Sequence, residues 1–190
     1  MQLSKLTPGA MVALSLAALA GPALAGPSET AFENFRAVCG ATAAEFPAVV
    51  TAADGSGWKN TQIVTDTMPG VSITDKQARH KPVAGDTLAL FVTRGLAHTK
   101  TGDIGVSTCT VSSGKADFAA LVSLTQQWLG MPAHDTTATK VGFHYTPNGA
   151  AAAAVPDGGL DAAAGGAGMM LMSVKTGGGQ TTLDLVKLKK

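Results

Sequence analysis

The histidines are the side chains of this sequence best suited to bind a metal ion or to transfer a proton near neutral pH. There are four, His80, His98, His134 and His144. No two are three or four residues apart, so no helix would place a pair on one face, and the first three fall in predicted loops, where we expect solvated rings. His144 lies between Phe143 and Tyr145 in a predicted strand, so its ring should face opposite to theirs, towards solvent or a groove. The sequence thus predicts no metal site and no cofactor, while a histidine cluster assembled only by the fold stays an open alternative.

Three methionines near the end of the chain, Met169, Met170 and Met172, form a thioether-rich patch. Soft sulfur ligands select Cu(I), so copper binding is one interpretation. Met170 and Met172 lie on the same face of a predicted strand, where adaptable apolar side chains fill a core. Because no spacing supplies a third or fourth ligand, we favour the core.

No motif of nucleophilic or acid-base catalysis is recognisable. The chain has no Gly-x-Ser-x-Gly turn, and the three glycines at 177–179 predict a turn, since no Lys-Ser/Thr follows them. A glycosidase-type pair of carboxylates would have to come from a small set that nothing in the sequence brings to one cleft. That set is Glu29, Glu33, Glu45, Asp54, Asp86, Asp117 and Asp135. The catalytic residues, if there are any, stay unknown at this point.

Two cysteines, Cys39 and Cys109, are the remaining reactive side chains. An even number of cysteines in an oxidising compartment favours pairing, and two cysteines allow one connectivity. We therefore predict a Cys39–Cys109 disulfide, with two buried free thiols as the alternative. A metal site on these thiols is disfavoured because neither belongs to a Cys-x-x-Cys motif.

The N-terminal 25 residues predict export. Lys5, an apolar run over 10–20 and the small residues Ala23 and Ala25 are typical of a signal peptide of the general secretory route, cleaved after Ala25. The run is too short for a membrane span, so we expect a periplasmic or secreted chain over 26–190 with no span of its own. The 14 basic and 13 acidic residues leave no basic surface that would favour nucleic acid.

The helices and strands that we predict around these residues belong to one α+β domain over 26–190. Apolar periodicity predicts short helices over 30–40 and from Pro47 to about residue 54, and a longer helix over 113–129. Alternation predicts strands at 87–94, 104–111, 140–145, 169–176 and 180–188, mostly in antiparallel hairpins. The polar, turn-rich segment over 60–85 predicts at most a short strand at 71–74. We expect the helices to pack on one face of an antiparallel sheet. The Ala- and Gly-rich segment 150–168 predicts a flexible loop.

Several short motifs resemble a family of exported proteobacterial proteins with no assigned activity. They are Phe35-Arg-Ala-Val-Cys39, the Gly57-Trp58 pair, Cys109 in its strand, and Trp128-Leu-Gly-Met-Pro132. The resemblance spans residues 32–145 and implies export and a pair of cysteines placed as here. It supplies no catalytic or binding residue.

The function that we expect from these patterns is that of a non-catalytic periplasmic binding or accessory domain, because the chain combines a good core pattern with no convergent polar motif. Its partner would be an envelope protein or a small ligand, and the sequence predicts no oligomeric state. The alternative is an envelope-directed hydrolytic enzyme, in which only the fold brings residues such as His144 and a carboxylate together. Such an enzyme needs a concave pocket with several titratable groups, which a structure would reveal.

Overall fold

The structure is a computed structural model that describes residues 25–62, 70–99, 102–148, 151–155 and 168–190. It confirms the predicted α+β class, since a large antiparallel sheet carries a few helices. Apart from Ala25, the predicted signal peptide falls outside the described residues. Within those residues, no helix has the length and apolar character that crossing a bilayer requires.

Nine strands of the described ranges form one sheet in which every pair is antiparallel. They are β1 (Lys59–Thr61), β2 (Val71–Val83), β3 (Asp86–Thr99), β4 (Gly102–Ser113), β5 (Asp135–Thr136), β6 (Lys140–Asn148), β7 (Ala151–Ala154), β8 (Met169–Gly177) and β9 (Gln180–Lys189). The strand order is β1-β2-β3-β4-β9-β8-β6-β5, and β7 also pairs with β6. The predicted β3–β4 and β8–β9 hairpins are both confirmed. In the second, Gly178 and Gly179 form the turn with positive φ angles, which glycine adopts without strain.

Three α-helices complete the described fold: α1 (Pro27–Phe35), which continues into a π-helical turn (Arg36–Gly40), α2 (Phe46–Gly55) and α3 (Phe118–Leu129). Pro27 and Pro47 lie in the first turns of α1 and α2, where a missing N–H costs nothing. The predicted helix over 113–129 begins later than expected, because Ser113 still belongs to β4 and Asp117 caps α3 by accepting a hydrogen bond from Ala120 N–H at 2.8 Å. Gly130, with a φ of 65°, ends α3 as predicted.

The helices pack on one side of the sheet, which we call the covered face. A row of registered, fully buried residues crosses five strands on that face: Val92, Cys109, Leu185, Met172 and Phe143. The predicted disulfide is confirmed, since Cys39 in the π-helical turn bonds to Cys109 in β4, with Cα atoms 5.5 Å apart. It fastens the helical layer to the middle of the sheet. Met170 and Met172 lie in this core, as predicted.

Two parts of the chain differ from the expectations. The polar segment before residue 85 was expected to contain only a short strand at 71–74, whereas β2 runs the whole way from Val71 to Val83. Within the segment predicted as a loop over 150–168, Ala151–Ala154 forms a strand because it hydrogen-bonds to the free edge of β6. Residues 156–167 lie outside the described residues, so the predicted flexibility of that stretch stays a prediction.

Candidate functional site

The second side of the sheet, which we call the open face, carries the polar residues of the strands. Two registered rows cross it. The first is Phe91, Thr110, Asp184, Ser173, Gly142 and Asp135, and the second is Thr93, Thr108, Val186, Leu171 and His144. Both rows are set by the strand alternation that sends the neighbouring residues into the core. Polar side chains are therefore aligned over most of the width of the sheet.

The two rows border a cleft of about 360 Å³ on the open face. Its sides include the apolar side chains of Phe91, Leu171 and Val186. Its polar lining combines hydroxyl groups with Lys140, Lys175, Asp184 and His144. A concave surface of apolar walls with a few converging polar groups is the usual form of a small-molecule site.

Asp184 is the charged residue at the floor of the cleft, and only 8% of it is exposed. Thr110 Oγ1 donates a hydrogen bond to its Oδ1 at 2.7 Å, and Ser173 Oγ donates to its Oδ2 at 3.5 Å. Lys175 Nζ lies 2.6 Å from the same Oδ2. A buried carboxylate needs such partners to offset its lost hydration, so neighbouring strands hold this charge in a fixed position.

Thr108 is the second buried polar residue of the floor, with 7% of it exposed. No atom of the described residues forms a hydrogen bond with its Oγ1. A buried hydroxyl without a partner costs about 1–3 kcal/mol. Thr108 is one of the residues that line the cleft, although its Oγ1 itself has almost no accessible surface.

The outer end of the cleft lies at the edge of β6, where β5 and β7 approach His144 from opposite directions. His134 N–H donates to the Gly142 carbonyl oxygen at 2.8 Å, and Val155 N–H donates to that of His144 at 3.0 Å. The His134 and His144 rings lie 4.2 Å apart between centroids, inclined by 38°. Asp135 Oδ2 lies 3.6 Å from His144 Nε2. The fold thus brings two imidazoles and a carboxylate together beside the cleft.

The prediction for His144 is confirmed, and the predicted loop position is confirmed for His134 but wrong for His80 and His98. Phe143 and Tyr145 are buried in the core, and His144 faces the open side, as expected. His80 and His98, expected in loops, lie in β2 and β3. His98 Nδ1 is 2.8 Å from Asp103 Oδ1 and its Nε2 is 3.2 Å from Ser72 Oγ. His134 precedes β5, a strand of two residues that no periodicity could predict.

Among the carboxylates named from the sequence, Asp135 is placed beside His144. Four others form contacts elsewhere, Glu33 with Arg36, Glu45 with Lys187, Asp54 with Arg79, and Asp86 with Ser113. Glu29 lies in the first turn of α1 and Asp117 caps α3. Asp184 was not among the predicted residues, although its acidic side chain is mismatched with its apolar neighbours Leu183 and Leu185 in β9. That mismatch was the signal in the sequence, because a carboxylate between apolar residues of a strand needs hydrogen-bond or ionic partners when it is buried.

Two groups of the described residues with perturbed pKa values, Asp75 and Tyr145, lie outside the cleft. A hydrogen bond from Arg94 lowers the pKa of the exposed Asp75 carboxyl. Burial raises the pKa of the Tyr145 phenol, which faces the core, well above its usual value. Both shifts therefore belong to the surface or the core of the fold, and neither equips the cleft for proton transfer.

Comparison of the chain with models of known families, with curated proteins and with solved structures gave no match. The role of the cleft must therefore follow from its own chemistry. That chemistry consists of a buried hydroxyl, a fixed buried carboxylate and two ammonium groups, with a cluster of two histidines and a carboxylate at its edge.

Proposed function

We propose that this chain is an exported, non-catalytic binding protein that holds a small polar ligand in the cleft of its open face. The observation that carries the proposal is the floor of the cleft, where the Thr108 hydroxyl and the Asp184 carboxylate are both buried. A sheet face that only met solvent would leave such groups exposed, and a face packed on a core would be apolar. Buried polar groups that converge in a cleft orient small ligands.

The charges around the cleft favour a ligand with an anionic group. Lys140 and Lys175 are directly opposite each other on β6 and β8, an arrangement that destabilises a sheet unless an anion lies nearby. Asp184 neutralises one of these two ammonium groups. The second remains to attract a negative charge, while Thr108 offers a hydroxyl. A hydroxyl-bearing acid such as a sugar acid combines both features.

Export is supported by the pattern of the first 25 residues and by the Cys39–Cys109 disulfide, which is compatible with an oxidising compartment. The resemblance to short exported proteobacterial proteins supports the same location. A role as the accessory domain of an envelope protein fits the same location. The small volume of the cleft favours a small ligand over a protein segment.

Native mass spectrometry of the protein recovered from the exported fraction tests the proposal. We expect a retained organic molecule in the wild type and a lower occupancy in Thr108→Val, which removes one hydroxyl and keeps a branched side chain. Thr146→Val is the matched control, because Thr146 lies on the open face of β6 outside the cleft. We also expect that sugar acids raise the unfolding temperature of the wild type and of Thr146→Val more than that of Thr108→Val.

A wild type that retains no mass and whose unfolding temperature is unmoved by sugar acids and by neutral sugars contradicts the proposal. Equal losses in Thr108→Val and Thr146→Val would also contradict it, because the two hydroxyls differ in their position relative to the cleft.

One observation favours a second function, the hydrolysis of an envelope polymer. His144 lines the cleft, and its Nε2 lies 3.6 Å from Asp135 Oδ2, the relation of a general base to the carboxylate that orients it. A hydrolase would release soluble fragments from isolated cell envelopes. If that release is lost in His144→Ala and kept in His98→Ala, hydrolysis replaces ligand binding as the function of the cleft.

A further inference from the structure

We propose that His134, Asp135 and His144 bind a divalent transition-metal ion of the zinc type at the edge of the sheet. Two imidazole nitrogens and one carboxylate oxygen form a donor set that zinc accepts readily, and three protein ligands leave one position open. With neutral imidazoles the set carries one negative charge, which partly neutralises a dication. This proposal goes beyond ligand binding in the cleft and does not depend on it.

The backbone brings the three ligands together without help from a metal. All three belong to the β5–β6 hairpin, in which Asp135 pairs with Gly142 and Thr136 with Val141. The turn is closed by a hydrogen bond from Thr137 N–H to the Lys140 carbonyl oxygen at 2.8 Å. Since these bonds are part of the sheet, the hairpin forms a largely prepared site.

The ligand atoms are close enough for one ion to reach them all. The three atoms lie within 4.8 Å of one another, and Asp135 Oδ2 is 3.6 Å from His144 Nε2. At bond lengths of 2.0–2.1 Å, the ligand atoms of a tetrahedral zinc ion lie roughly 3.4 Å apart. Closure of the longest separation by up to about 1.4 Å therefore completes the site, and the exposed side chains of His134 and Asp135 can rotate to provide it.

Gly142 gives Asp135 the space to reach His144. A Cβ at position 142 would lie 3.3 Å from Asp135 Oδ2 and 3.5 Å from its Cβ. Because glycine has no Cβ, the Asp135 carboxylate lies across β6 and approaches the ring of His144, two residues further along the strand. The glycine therefore acts as a positioning residue for a ligand, and its replacement leaves all three ligands in the chain.

The proposal is tested by isothermal titration calorimetry with Zn²⁺. The sample is the untagged protein, recovered from the exported fraction and treated with a chelator. We expect one ion per chain in the wild type and loss of saturable binding in His134→Ala and in His144→Ala. His134 is exposed, so its replacement does not disturb the core. His98→Ala is the matched control, because His98 lies beside Asp103 and Ser72, outside the cluster. Gly142→Ala should bind Zn²⁺ about tenfold more weakly, as expected when a ligand loses its support.

Co²⁺ supplies an independent readout, since its visible absorption reports a tetrahedral environment of nitrogen and oxygen ligands. The wild type and His98→Ala should give that spectrum, and His134→Ala should not. No saturable Zn²⁺ binding by the wild type would overturn the proposal, as would wild-type affinity in His134→Ala. An equal loss in His98→Ala would assign the binding to scattered surface histidines and would overturn it too.

Discussion

Two neighbouring rows of residues on the same five strands show what separates the covered face from the open face. On the covered face, the row from Val92 to Phe143 is apolar, fully buried and fastened to the helices by the disulfide. One register position away on each strand, the row from Thr93 to His144 contains hydroxyl groups and an imidazole. The same backbone therefore carries the stability of the fold on one side and its candidate chemistry on the other.

On the open face, several polar residues are buried although their side chains are not apolar. Thr93, Thr108 and Asp184 are each less than 9% exposed, although the described helices pack on the opposite side. Burying polar groups costs free energy that the covered face avoids. We interpret this cost as the result of selection for binding, and each of the following predictions tests one side of that contrast.

The largest effect should come from the disulfide that joins the helices to the covered face. Replacing Cys39 by Ser opens a 70-residue loop and should lower the free energy of unfolding by about 4 kcal/mol, because the denatured chain gains entropy. Cys109→Ser and the double variant should match it. Denaturant titration of the oxidised proteins measures these losses. Losses that differ between the two single variants would show that one sulfur contributes through packing instead of through the bond.

The next prediction compares adjacent residues of β6. Phe143→Ala removes a fully buried ring and should cost about 3 kcal/mol, near the lower end for such changes, because the flexible Met172 lies directly opposite and can fill part of the cavity. His144→Ala, on the open face, should change the free energy of unfolding by less than about 1 kcal/mol. Thermal unfolding of both variants tests the contrast. Similar losses would mean that both faces of β6 stabilise the fold.

The covered face was predictable from the sequence and much of the open face was not. Alternation placed Phe143 and Tyr145 inside and His144 outside, and the cysteine count predicted the Cys39–Cys109 bond. These signals are strong because each apolar residue independently favours burial. The Asp184 network joins residues from three strands, and no local pattern encodes such a register.

Strand β2 shows why a polar segment can escape prediction. Its contacts with the helical layer are polar, since Arg79 pairs with Asp54 of α2 and Lys81 Nζ donates to Asn34 Oδ1 of α1 at 2.9 Å. The covered side of β2 thus lacks the apolar alternation that predicts a strand. The histidine cluster was missed for a related reason, because β5 has two residues and its pairing is set by the hairpin turn.

A smaller effect is expected at Asp184, where the open face holds a buried charge. Asp184→Asn keeps the size of the side chain but should cost about 2 kcal/mol, because the amide nitrogen faces a hydroxyl donor and Lys175 loses its ion pair. Lys175 is half exposed and can regain water, which limits the loss. Equilibrium unfolding in urea measures the change. An unaltered stability would mean that the hydrogen bonds and the ion pair of Asp184 only offset the cost of burying its charge.

The smallest predicted effect distinguishes two hydroxyl groups of the open face by its sign. Thr108→Val should raise the free energy of unfolding of the ligand-free protein by about 1 kcal/mol, because it removes a buried hydroxyl that has no partner in the described chain. Thr110→Val, two residues further along β4, should lower it by a similar amount, since the Thr110 hydroxyl donates to Asp184 at 2.7 Å. Urea titrations of both variants provide the measurement. If Thr108→Val destabilises as Thr110→Val does, water already satisfies the Thr108 hydroxyl. The open face would then be an ordinary polar surface instead of a binding site that is built at the expense of stability.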